Sequence, residues 1–165
     1  MSFKFADPKR PVHTIVLHCS ATRVNSDYSV EQLTADHKGR GFDGPGYHFY
    51  IRKNGDVVFL RPMTCIGAHV QGHNTGSIGI CYEGGLDASG KPNDTRTAAQ
   101  KKTMHDLLVA LAAFLRTVGQ EITTICGHRD FSPDKNGNGK IDAWERIKEC
   151  PCFDAIPEFA YAKAA

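Results

Sequence analysis

Neither sign of charge dominates this chain. Twenty Lys and Arg against 18 Asp and Glu leave a formal charge of +2, too little for an extended basic face, so nucleic acid is excluded as the expected partner. No stretch approaches the roughly 18 consecutive apolar residues of a membrane span, and membrane insertion is not expected either. The N-terminal MSFKFADPKRPVHTIVLHC lacks a sustained apolar core ahead of a small-residue cleavage site, so the expectation is a product made in the cytoplasm without an export signal. Repeats, low-complexity tracts and linkers are missing too, which points to one domain over residues 1–165 and to a monomer.

What is present suits a globular enzyme. At 165 residues, 41% hydrophobic and 23% charged, the chain is long enough to bury a core without disulfides. Six cysteines are many for that length. Cys19, Cys65, Cys81 and Cys126 read as reduced, buried small hydrophobes, whereas Cys150 and Cys152 sit in a separate Lys-Glu-Cys-Pro-Cys cluster.

Patterning predicts an α/β fold with a mixed central sheet flanked by helices. The run 13–19 (HTIVLHC) predicts a buried strand that brings His18 to a sheet mouth. Ser29 opens a capping box for a helix to about Lys38, and Asn54-Gly55 joins strands 47–53 and 56–60 in a hairpin. Ser77–Tyr82 reads as a strand, and Thr97 with Gln100 as the cap of the longest helix. In that helix Met104, Leu107, Leu108, Leu111, Phe114, Leu115 and Val118 recur at helical spacing. Residues 121–126 (EITTIC) predict one more strand.

His18 ends one predicted strand and His128 follows another, so both can project from the same sheet edge, where ligand sites gather. A cysteine thiolate added to two neutral imidazoles makes a three-ligand set that suits Zn²⁺ and leaves a fourth position for water, the arrangement of a catalytic site. Spacing alone does not choose between Cys150 and Cys152, nor does it exclude His69 or His48 as a ligand.

Four segments in order, VLHCSAT, GYHFYIRKNGDV, GAHVQGHNTGSIGI and KECPCFD, resemble the zinc-dependent N-acetylmuramoyl-L-alanine amidases of the short phage-lysozyme and peptidoglycan-recognition-protein family. The resemblance runs from about Val12 to Asp154. It implies zinc ligands at His18, His128 and Cys150, with Cys152 a bystander thiol, and catalytic roles for Tyr47 and Lys148. It places His69 and Asn74 along the substrate groove, with bacterial peptidoglycan as partner and a phage or prophage endolysin, acting on the wall after release, as the function. The alternative is a non-catalytic peptidoglycan-binding or regulatory protein on the same fold; Cys150 speaks for the enzyme. No carboxylate base is identifiable near the metal, and Tyr47 occupies the place where some zinc amidases carry a glutamate.

Between His128 and Cys150 lies a feature the resemblance does not supply. GHRDFSPDKNGNGKIDAWERIKECPCFD, residues 127–154, fits the calcium-loop pattern D-x-[DN]-x-[DN]-G-x5-E at every specified position. Asp134, Asn136, Asn138, the Lys140 carbonyl, Asp142 and a bidentate Glu145 are the expected Ca²⁺ ligands. Ser132-Pro133 argues against an entering helix, while residues 143–148 could form an exiting one. The expectation is a lone structural calcium loop that orders the connection to Cys150.

Overall fold

The computed structural model describes residues 3–164. Strand β1 (Thr14–Cys19) is buried from Ile15 to Cys19, as a central parallel strand must be. A two-residue strand β2 (Thr22–Arg23) and helix α1 (Val30–Gly39) follow. Ser29 caps α1 by accepting the Gln32 N–H. The hairpin forms as β3 (Phe49–Ile51) and β4 (Val57–Phe59). Gly55 takes the positive φ of +90° that its turn needs. Strands β5 (Ser77–Tyr82) and β6 (Gly85–Leu86), helix α2 (Ala98–Thr117), strand β7 (Thr124–Gly127) and the short helix α3 (Ala155–Glu158) complete the order.

The five-stranded sheet runs β4-β3-β5-β1-β7. It is mixed: β3, β5, β1 and β7 are mutually parallel, and the hairpin adds β4 antiparallel at one edge. Strand periodicity then sorts the side chains. Ile15 and Leu17 of β1, with Ile78 and Ile80 of β5, join the core cluster that Met104, Leu107, Leu108, Leu111 and Leu115 of α2 cover. Each of these buried side chains contributes roughly 1.5–3 kcal/mol of transfer free energy. Val16 packs with Cys126 and Val70, and Cys81 with Leu33 of α1 and Tyr50, in two smaller clusters apart from that core. By alternation His18, Ser77 and Gly79 belong with this second set.

Several expectations are corrected. Tyr47 and His48 precede β3 rather than begin it, although the His48 N–H still bonds to the Gly79 carbonyl at 2.9 Å. Strand β7 starts only at Thr124, where the parallel pairing with β1 begins opposite Thr14. Cys65 is exposed, while Cys19, Cys81 and Cys126 are buried and all six cysteines are free. The exiting helix over 143–148 does not form: a single 3₁₀ turn spans Ala143–Glu145.

Candidate metal centre

Parallel pairing of β1 and β7 sets Leu17 opposite Gly127, so His18 on β1 and His128, which opens the 3₁₀ turn directly after β7, emerge at the same C-terminal edge. The third group arrives from a distant part of the chain. Cys150 is held beside the edge because its carbonyl accepts the Arg129 N–H at 2.7 Å. Pro151 packs so closely on Gly127 that a Cβ there would lie 2.3 Å from the proline Cδ. Tyr82 donates its hydroxyl to the Pro151 carbonyl at 2.9 Å, and the Arg129–Asp154 ion pair ties the following residues down.

Ligand atoms of His18, His128 and Cys150 all lie within 4.8 Å of one another, the only such group of His, Cys, Asp and Glu among the described residues. The Cys150 Sγ stands 3.8 Å from His18 Nδ1. A tetrahedral zinc with bonds of about 2.3 Å to sulfur and 2.0 Å to nitrogen separates those atoms by about 3.5 Å, so the donor set fits zinc in both chemistry and spacing. The electrostatics agree. Burial, reinforced by His69 and His128, holds the His18 imidazole well below its usual basicity. Burial and the nearby Lys148 charge lower His128 to about 4. Both rings are therefore neutral near pH 7, with lone pairs available to a cation. Cys150 sulfur accepts the Cys19 N–H at 3.3 Å.

Around this group opens a groove of ≈ 930 Å³, lined among others by Tyr47, His69, Asn74, His128, Lys148 and Cys150. The Tyr47 ring lies 5.0 Å from the His18 ring, and burial raises its phenol well above the ordinary value, so it is a neutral donor. Lys148 is exposed at the groove wall. His69 is buried, with both ring nitrogens in contact with protein groups: Nδ1 with His18 Nε2 at 3.0 Å and Nε2 with Ser77 Oγ at 3.3 Å. The Asn74 side-chain oxygen accepts the N–H groups of His69 and Val70, both at 2.9 Å, so its acceptor shapes the loop. His48 bridges the Gly79 N–H and the Cys65 carbonyl as a structural residue.

Two residues with no assigned role from sequence support the site. His37 Nδ1 accepts the Gly46 N–H at 2.8 Å, and its ring packs at a tilt against Tyr47, centroids 5.2 Å apart. Ser77 ends the hydrogen-bonded line through His69 to His18. The one available signal was a glycine inside a buried strand, Gly79, which marks a close approach.

The segment 134–145 folds as a tight loop. Asp134 accepts the N–H groups of Gly137 and Gly139 at 2.7 and 2.8 Å. Glu145, 1% exposed, accepts those of Lys135, Asn136 and Asp142 at 2.7, 3.0 and 2.8 Å. Asn136 and Asn138 donate to Asp142 at 2.8 and 3.0 Å. The carboxylates of Asp134, Asp142 and Glu145 do not converge as the three zinc-type ligands do.

Known proteins share this architecture. An endolysin of Klebsiella phage KP32 is 36% identical over 140 residues, covering 85% of this chain and 80% of the relative. The structure of N-acetylmuramoyl-L-alanine amidase LysC from Clostridium intestinale superposes with a TM-score of 0.65 at 27% identity, covering 99% of this chain and 93% of LysC. Drosophila PGRP-LB shares the fold, with a TM-score of 0.61 at 24% identity over 94% of this chain and 82% of that one. With the sequence family described as N-acetylmuramoyl-L-alanine amidase matching residues 8–152, the chain belongs to that family.

Proposed function

We propose that this amidase is a zinc-dependent phage endolysin that hydrolyses the amide between N-acetylmuramic acid and L-alanine of peptidoglycan. The observation that carries the reading is the convergence of His18, His128 and Cys150 at one sheet edge, beneath an open groove. Zinc held there supplies Lewis acidity and activates water for attack on an amide carbonyl near neutral pH. The chain's own groups do the rest. Lys148 offers a cationic hydrogen bond to the oxygen that gains charge in the transition state, and the neutral Tyr47 phenol, packed against His37, is a second donor lining the same groove. The groove holds the glycan and the stem peptide in register with these donors.

Mass spectrometry of purified peptidoglycan after incubation with the protein tests the reading. Wild type is expected to release stem peptides with an L-alanine N-terminus, and Cys150→Ala none. Intact wall after treatment with folded, zinc-loaded wild type would favour the non-catalytic binding protein instead.

The segment 134–145 is proposed as a structural Ca²⁺ loop, on the strength of its residue-by-residue match to the twelve-residue pattern. Asp134, Asn136, Asn138, Lys140, Asp142 and Glu145 would hold the ion and so order the approach to Cys150. Titration calorimetry on zinc-loaded protein is expected to show calcium heat that Glu145→Gln removes; absence of heat in wild type, with unchanged melting, overturns it.

A further inference from the structure

We propose that Ser77 and His69 form a positioning relay that holds His18 in the single tautomer able to bind the metal, an inference that rests on the zinc reading of His18, His128 and Cys150. A neutral imidazole carries its hydrogen on one nitrogen and offers the other as a lone pair, and the partner of the first decides which is which. For His18 the nitrogen facing Cys150 is Nδ1, and the nitrogen facing His69 is Nε2. Only the Nε2–H form leaves a lone pair on the metal side.

The direction of each bond follows from the far end of the line. The Ser77 hydroxyl has one hydrogen and three neighbours: the His73 carbonyl at 2.8 Å, the Asn74 carbonyl at 3.1 Å and His69 Nε2 at 3.3 Å. Carbonyls can only accept, so the serine hydrogen goes to the shorter, carbonyl contact. The hydroxyl oxygen is then the acceptor for His69 Nε2–H. His69 Nδ1 becomes the acceptor, and His18 must donate from Nε2. Reversal of the line would require Ser77 to give up its 2.8 Å bond and would turn a His18 Nδ1–H against the Cys150 sulfur.

The line is also held sterically. A Cβ at Gly79 would come within 2.7 Å of the His69 ring, and one at Gly67 within 2.5 Å, so two glycines open the slot in which the ring lies. Ser77, His18 and His69 are all buried, which removes competing water from the chain of bonds.

Zinc affinity by competition with a chromogenic chelator, together with two-bond ¹H–¹⁵N spectra of the metal-free protein, tests the relay. The spectra of wild type are expected to show Nε2–H at both His18 and His69. His69→Leu, which fills the slot without an acceptor, is expected to lower zinc affinity about 10- to 100-fold. Ser77→Ala is expected to lower it by about tenfold, the lower end of that range, and to bring the second tautomer of His69 into view. His69→Asn, whose amide oxygen can stand near Nδ1, is expected to keep most of the affinity. Melting curves confirm folding of each variant. An Nδ1–H signal from either wild-type histidine, or Ser77→Ala and His69→Leu that are folded and bind zinc like wild type, would overturn the relay. A Cys150→Ala variant that keeps wild-type affinity would instead overturn the metal reading, while the wild-type tautomers still judge the direction of the line.

Discussion

Gly79 shows how a residue with no functional group can shape the surroundings of a proposed metal ligand. Its missing side chain leaves room for the His69 ring, and Gly79→Ala is expected to destabilise the fold by about 1–3 kcal/mol through overpacking and to weaken zinc binding in parallel, as thermal melts and chelator competition would show. Lys148 poses a different question, because it is exposed. Lys148→Ala is expected to keep zinc content and melting temperature while kcat falls about 10²- to 10³-fold; metal analysis alongside peptide-release kinetics checks both halves. His18 and His128 were legible because strand ends are written locally, whereas the choice of Cys150 over Cys152 came from the family resemblance. Ser77 and His37 were not, since a serine at a strand start and a histidine in an amphipathic helix gain meaning only from what folds against them.

At the scale of elements, capping and periodicity carried the sequence reading furthest. Helix α2 has the Thr97–Gln100 capping box and the apolar stripe that the sequence spelled out, and Leu111→Ala in its buried face is expected to cost about 2–5 kcal/mol in chemical denaturation. The segment after His128 was read less well. The expected exiting helix is one 3₁₀ turn, because the Glu145 carboxylate takes backbone N–H groups at both ends of the loop and draws it tight. Removing that acceptor takes away three hydrogen bonds to a charged group, from the Lys135, Asn136 and Asp142 N–H groups, so Glu145→Ala is expected to lower stability by about 1–3 kcal/mol even in calcium-free buffer.

Across the whole molecule, buried neutral histidines link stability to pH. Burial lowers His37 and His48 to about 4 each, below the 6.5 of an ordinary imidazole. Arg40 and Arg61 lower His37 further while Asp36 opposes them; Arg10 and Arg61 add to the effect at His48 while its bond to the Cys65 carbonyl opposes it. Between pH 4 and 6.5 the unfolded chain therefore binds more protons than the folded one. Their contribution is complete above that window and is lost as pH falls through it. Melting temperatures of the protein are expected to decline over this interval, and less steeply in a His37→Asn variant.

By itself the sequence determined the α/β class, the hairpin and the two capped helices, and it nominated His18 and His128 at predicted strand ends, because propensity, capping and ligand chemistry act over a few neighbouring positions; the choice of Cys150 came from the family resemblance. Only the tertiary structure decided the rest. Parallel pairing of strands more than a hundred residues apart brings His18 beside His128, and the packing of Pro151 on Gly127 delivers Cys150 to them. The crossover that lays the 67–76 loop over β5 places His69 between Ser77 and His18. Such contacts depend on register and on which face of a strand is turned inward, quantities set by the cooperative packing of the whole core.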